Sequence, residues 1–192
     1  MFQKKAVNNG KVFHNNEIDI ADWLPEIYRV LKPESHCYIM TNNKNITHYL
    51  NVIEQSDFHF VKNLIWVKDN KIMGTAYMSQ FEYIIFLRKG PFKKINNCGC
   101  ADVFQIANKK TKDCNGKVIH DTEKPVQLTN ILIENSTTKN CTVLDPFMGI
   151  GGVGVSCKQL KRNFIGIEIN EKYFTVAKER INNAEEQQLS FF

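Results

Sequence analysis

Val143-Leu144-Asp145-Pro146-Phe147-Met148-Gly149-Ile150-Gly151-Gly152-Val153-Gly154 runs from a short apolar strand, through a glycine-rich turn, into the start of a helix. Glycine allows the sharp turn and lets a ligand approach the main chain, while the helix start offers free N–H groups to an anionic group. Gly149, Gly151 and Gly154 satisfy G-x-G-x-x-G, and Glu168 follows Gly149 by 19 residues at the end of the next strand, NFIGIEI (163–169), where it can accept hydrogen bonds from ribose hydroxyls. Asp145 discriminates between ligands. A carboxylate beside a pyrophosphate repels it, whereas a ligand with an ammonium group welcomes it. S-adenosylmethionine has an ammonium, a sulfonium and an adenosine ribose, so an acid at each of two successive strand ends suits it better than a nicotinamide dinucleotide. A plain strand-turn-helix connection with an incidental acid is the alternative.

Outward from this turn the chain alternates strands and helices. Residues 17–32 place Ile20, Trp23, Leu24, Ile27 and Leu31 at helical spacing and stop at Pro33. A short strand is expected at 36–41 and a helix at 44–55. The aromatic and β-branched runs 58–68 and 81–89 read as antiparallel neighbours. A helix starts near Pro125, and after the glycine turn another strand and a helix through Tyr173, Phe174, Ala177 and Ile181 close the pattern. Such alternation predicts an α/β fold with a mainly parallel sheet, helices on both faces and one antiparallel hairpin. Trp23 and Trp66 read as core residues rather than base-stacking groups.

The chain has 192 residues, 43% of them hydrophobic, enough material for a single domain over 1–192. Its apolar runs fall short of the roughly 20 residues of a membrane helix. The start, MFQKKAVNNG, has no apolar signal region, so a soluble, cytoplasmic protein with no membrane partner is expected. Six cysteines then read as reduced thiols. Cys98-Gly99-Cys100 has the wrong spacing for a zinc pair, and no metal is expected. Charge is uneven: Arg88 to Lys117 holds eight cations against two acids, a local net of +6, so the rest of a +5 chain carries −1. The segment 90–119 therefore reads as an inserted basic loop. Lys93, Lys94, Lys109, Lys110 and Lys112 are its candidate phosphate contacts, and a solvated surface loop fits the composition equally well.

DPFMGIGG (145–152) and FIGIEINEKYFTVAKERI (164–181) resemble the cofactor motif and following acidic motif of the amino-methylating DNA methyltransferases, the N6-adenine/N4-cytosine DNA methylases. His120-Asp121-Thr122-Glu123-Lys124-Pro125 looks like the family's HPTEKP segment, and EIYRVLKPESHCYIMTN resembles its helix-turn-strand. The motif order is that of the β-type members, and the resemblance spans residues 13–182. It implies a Rossmann-like methyltransferase fold, S-adenosyl-L-methionine as cofactor, double-stranded DNA as partner, and a bacterial or phage origin. Asp145, Phe147, Gly149 and Gly151 would line the methionine end of the cofactor, and Glu168 would hold its ribose. Lys124 and Pro125 would close the pocket, with Thr122 at its entrance. Segment 90–119 falls where the family carries target recognition, and adenine N6 is favoured over cytosine N4. Asp121 replaces the family's first proline, and Ile150-Gly151-Gly152 replaces Ser-Gly-Thr.

One family element is missing from these residues. The family holds the target amine with an Asp/Asn/Ser-Pro-Pro-Tyr/Phe/Trp motif. Here Pro25, Pro33, Pro91, Pro125 and Pro146 are all isolated, so no catalytic residue is assigned. By resemblance the motif's strand lies between the strand ending at Asp145 and the one at 36–41, so one or two N-terminal strands are expected to be missing. The chain is then expected to need a complementing polypeptide or a homodimer, or to be a non-catalytic cofactor- or DNA-binding remnant or subunit.

Overall fold

The computed structural model describes residues 7–8, 11–12, 18–72 and 76–185. Its elements in chain order are β1 (Val7–Asn8), β2 (Lys11–Val12), α1 (Ile20–Val30), β3 (His36–Thr41), α2 (Ile46–Glu54), β4 (His59–Ile72), β5 (Ser79–Arg88), β6 (Val103–Gln105), α3 (Val126–Ser136), β7 (Thr142–Asp145), α4 (Gly152–Gln159), β8 (Asn163–Gly166) and α5 (Glu171–Asn182). Helix α1 starts where the Asp19 carboxylate accepts the Ala21 N–H at 2.9 Å, an N-cap the apolar periodicity alone does not reveal. Glu17, the expected first helical residue, lies outside the described residues. Asn42 makes the turn before α2, its side chain accepting the Lys44 N–H.

The larger sheet has the order β3-β5-β4-β6. Strand β5 runs antiparallel to both β3 and β4, and β6 runs parallel to β4, so β3, β4 and β6 share a direction against β5. The β4–β5 pair is the expected antiparallel hairpin. Its YIIFL run is buried throughout Ile84–Leu87 because helices cover both faces of that strand. On one face Leu64, Trp66, Ile84, Phe86, Phe104 and Ile106 pack with Leu128 and Leu132 of α3. On the other, Ile39, Ile85 and Leu87 pack with Ile20 and Leu24 of α1 and Ile53 of α2.

Two features depart from the expected pattern. Segment 90–119 is not wholly a loop: Val103–Gln105 pairs with Ile65–Val67, and Phe104 and Ile106 enter the core. Three residues carry too little periodicity to announce a strand, and only the pairing with β4 makes one. Strand β8 is also shorter than 163–169. Its parallel ladder with β7 runs from Thr142↔Asn163 to Asp145↔Gly166. Beyond Asp145, Pro146 has no N–H to continue the ladder, and the chain bends into the glycine turn.

Strands β7 and β8 form a separate two-stranded parallel sheet. Helix α3 joins the two sheets: Leu128 and Leu132 face the larger one, while Ile133 packs with Cys157, Leu160, Val143 and Phe164 beneath the smaller. Its Thr129 hydroxyl meets the buried Ser156 hydroxyl of α4 at 2.6 Å. His36 and Tyr38 of β3 reach the Ser136 hydroxyl at the end of α3, at 2.8 and 2.7 Å. Among the described residues, β3 has a strand partner only on its β5 side and β7 only on its β8 side.

Trp66 is the largest fully buried side chain, and its indole N–H donates to the Ile106 carbonyl at 2.8 Å, tying β4 to the chain beyond β6. Trp66→Ala removes both the packing and that bond and is expected to cost about 3–5 kcal/mol, measured by urea unfolding. Trp66→Phe retains most of the volume and should cost less.

Candidate cofactor site

The turn after β7 is built by backbone conformations that favour glycine. Gly149 has φ +52° and Gly151 φ +76°, and Gly151 precedes the first turn of α4. A Cβ at Gly151 would lie 2.9 Å from that of Ala177 on α5, so the absent side chain also sets how closely the loop approaches that helix. The ladder register places Asp145 level with Gly166, two residues before Glu168. Glu168 ties the two strand ends together: one carboxylate oxygen accepts the Gly149 N–H at 2.9 Å and the other the Asn170 N–H at 2.8 Å. Asp145 accepts the Phe147 N–H at 3.1 Å.

Two carboxylates thus flank one glycine turn. Burial pushes the Asp145 carboxyl up to about 6, the Phe147 N–H pulls it back, and the Glu168 charge adds to the rise. An acid held this way gains from a cation placed beside it. Phe147 is 53% exposed, and Trp23 of α1 meets its ring edge-on at 5.4 Å. Trp23 therefore packs on the α1 core, as expected, and also touches the turn.

The segment 120–125 lies along the turn. The His120 ring is 3.2 Å from where a Gly149 Cβ would stand, packs edge-on against Tyr173 at 4.6 Å and lies 3.3 Å from the Thr122 hydroxyl. Burial lowers the His120 pKa, against the pull of Glu168 and Glu123. Pro125 is buried and occupies the N-cap of α3, one position before the first helical residue. The Lys124 carbonyl faces Gly152, whereas its ammonium points toward β5 and meets Glu82 at 3.0 Å. Glu82 also meets the buried Lys68 at 2.5 Å. Burial alone would raise the Glu82 pKa, but the two ammonium groups outweigh it and leave the carboxyl below its usual range. These charge partners come from β4 and β5 and carry no local sequence signal.

The five basic-segment lysines divide. Lys93, Lys94, Lys109 and Lys112 are exposed. Lys110 is half-buried and donates to the Glu123 carbonyl at 2.5 Å, and burial together with the nearby Lys124 charge brings its pKa down to about 8. Its ammonium is therefore engaged with the 120–125 segment.

This glycine turn, with an acid at each of two adjacent strand ends, sits inside a family match: a DNA methylase model, that of the N6/N4 methyltransferases, covers residues 13–179. The chain belongs to the N6/N4 family of DNA methylases. The type II methyltransferase M.HpaI of Haemophilus parainfluenzae is 31% identical to it over 183 residues, covering 84% of this chain and 58% of the relative. The type II methyltransferase M2.LlaDCHI of Lactococcus lactis subsp. cremoris is 32% identical over 176 residues, covering 83% and 65%. This methylase chain thus spans less than two thirds of the length of either curated relative. Among solved structures, the complex of M1.HpyAVI with SAM superposes with TM-score 0.72 at 29% identity, covering 85% of this chain and 82% of that one. The cytosine-N4-specific PvuII DNA methyltransferase, at 15% identity and TM-score 0.69, shares the fold, covering 90% of this chain and 80% of that one. In the methylase chain no helix of the described residues is long and apolar enough to cross a membrane.

Two outcomes test the site's geometry. Gly151→Ala forces an L-residue into positive φ against Ala177 and should cost about 1–3 kcal/mol, measured by thermal unfolding. Asp145 has a folded pKa raised from 3.8 to about 6, so folding disfavours its charged form, and stability falls as pH rises through that window. Asp145→Asn should therefore raise the melting temperature above about pH 6, with the gain vanishing below about pH 4.

Proposed function

We propose that these residues form the S-adenosyl-L-methionine-binding half and DNA-contacting segment of an amino-methylating DNA methyltransferase, acting on adenine N6 in preference to cytosine N4. The observation that carries this reading is the pair of acids, Asp145 and Glu168, at the ends of adjacent parallel strands around a turn shaped by positive-φ glycines. The cofactor would supply an electrophilic methyl group. Asp145 would face its ammonium and Glu168 its ribose hydroxyls, with Phe147, Gly149 and Gly151 lining the methionine end. Thr122, Lys124 and Pro125 would close the same pocket, Lys124 through its backbone while its ammonium holds Glu82. A nicotinamide cofactor is disfavoured because its pyrophosphate would meet Asp145.

Exposed Lys93, Lys94, Lys109 and Lys112 are the proposed contacts to the phosphates of double-stranded DNA, and the shortness of segment 90–119 favours a short recognition site. Methylating an exocyclic amine requires the base to be flipped out and its N–H groups held by acceptors as the nitrogen reaches for the methyl group. No Pro-Pro pair capable of this is present in the sequence, and β3 and β7 each have an open edge among the described residues. Both observations favour completion by an amine-binding segment outside these residues, carried on the same polypeptide or on a complementing one. A bacterial or phage cytoplasm is the proposed setting.

Calorimetric titration of the 192-residue chain is expected to show binding of S-adenosylmethionine and not of NADH, with affinity rising between about pH 5 and 7 as Asp145 ionises. Binding of NADH instead would sink the reading. The same chain, given labelled cofactor and duplex DNA, is expected to transfer no methyl group; robust incorporation would refute the need for a completing segment. Lys93→Ala with Lys94→Ala should weaken duplex binding across sequences and flatten its salt dependence by about 1–2 units of log–log slope.

A further inference from the structure

Glu123 lies between two of the residues assigned to the pocket, and it is almost completely buried. A buried carboxylate is tolerated only when well supplied with donors. Its donors come from two distant parts of the chain. Thr111, in the basic segment, supplies its backbone N–H at 2.6 Å to one oxygen and its hydroxyl at 2.8 Å to the other. Arg180, on α5, supplies one guanidinium nitrogen at 2.7 Å. The other guanidinium nitrogen of Arg180 donates to the Ile150 carbonyl at 2.6 Å.

That carbonyl belongs to the peptide between Ile150 and Gly151, inside the glycine turn. Gly149 and Gly151, on either side of Ile150, both have positive φ, a region in which glycine exchanges conformations at little cost. The Gly151 N–H donates to the Met148 carbonyl at 2.8 Å, and Arg180 fixes the opposite side of the same peptide. A fork of fixed geometry suits this task, since its two ends are committed to two different partners.

We infer that Glu123 and Arg180 are positioning residues that hold the glycine turn in its ligand-ready shape and couple it to the basic segment through Thr111. The inference rests on the cofactor reading of the turn. Thr111 lies between Lys110 and Lys112, so contacts made by the basic segment reach the turn through Glu123, and a ligand in the turn steadies the basic segment in return.

The test titrates S-adenosylmethionine into the full chain and its variants by calorimetry, with amide hydrogen exchange read at residues 149–152. Thr111→Val removes one donor to Glu123 far from the turn. It is expected to weaken cofactor binding about 3- to 10-fold and to speed exchange in the turn, while Thr111→Ser, which keeps the hydroxyl, binds as the unaltered chain does. Arg180→Lys keeps the charge but not the fork and is expected to lose about 10-fold. Adding Thr111→Val to Glu123→Gln should weaken binding no further, because the path is already cut. Thr111→Val and Arg180→Lys variants that bind like the unaltered chain and leave exchange in the turn unchanged overturn the inference, whatever their melting temperatures. If the unaltered chain binds no S-adenosylmethionine, the cofactor reading fails and takes the inference with it. Should Arg180→Lys fail to fold, the Thr111 pair still decides.

Discussion

The Glu168 carboxylate, accepting the Gly149 N–H on one oxygen and the Asn170 N–H on the other, is the constraint around which the site is organised. It fastens the turn after β7 to the end of β8, and the parallel register of those strands delivers Asp145 to the same rim. Burial is the main cause of the raised Asp145 pKa, and the Glu168 charge brought beside it adds to the rise. Folding therefore stores an unfavourable interaction at the one place where a cationic ligand would relieve it. Sites that bind charge commonly carry such local costs, which the rest of the fold must offset.

The offset comes from packing on both sides of the larger sheet and from α3, which touches both cores. Leu128 and Leu132 of α3 seal the face around Trp66, while Ile133 and Thr129 pack on α4. A single helix buried on two sides has little freedom to move, so Pro125 at its N-terminus is fixed relative to both sheets. The 120–125 segment that leads into α3 is fixed with it. The approach of His120 to Gly149 thus follows from the burial of α3 as well as from contacts within the turn.

The glycine turn and its acids were legible in the sequence because their chemistry is local: glycine positions, strand ends and a spacing between two acids all survive reading along one dimension. The helix at Ile20–Val30 and the β4–β5 hairpin were legible for the same reason, since their apolar periods are regular over many residues. Strand β6 was not, because three residues become a strand only when β4 is beside them. Lys110 is the sharper case. Its sequence neighbours make it look like one more surface cation, whereas the Glu123 carbonyl that accepts its hydrogen bond lies 13 residues on and is brought there by the fold. Glu82 and Lys68 follow the same logic, being charged residues in strands whose partners come from across the hairpin and from the 120–125 segment.

The open edges of β3 and β7 give the remaining step. Extended chain leaves an N–H and a C=O at every second residue pointing along the sheet, and each one buried without a partner costs about 1–3 kcal/mol. The Trp23–Phe147 contact ties α1 to the glycine turn, and the bonds of His36 and Tyr38 to Ser136 tie β3 to the helix that packs beneath β7. A strand added to β7 in the parallel sense would end level with Asp145, because in a parallel sheet all carboxyl ends open on one rim. Any acceptor carried just past the end of such a strand would stand next to the cofactor turn. The geometry that leaves one edge of β7 open among the described residues is therefore the geometry that would put an amine-holding group within reach of a methyl donor, so the same strand would serve both stability and chemistry.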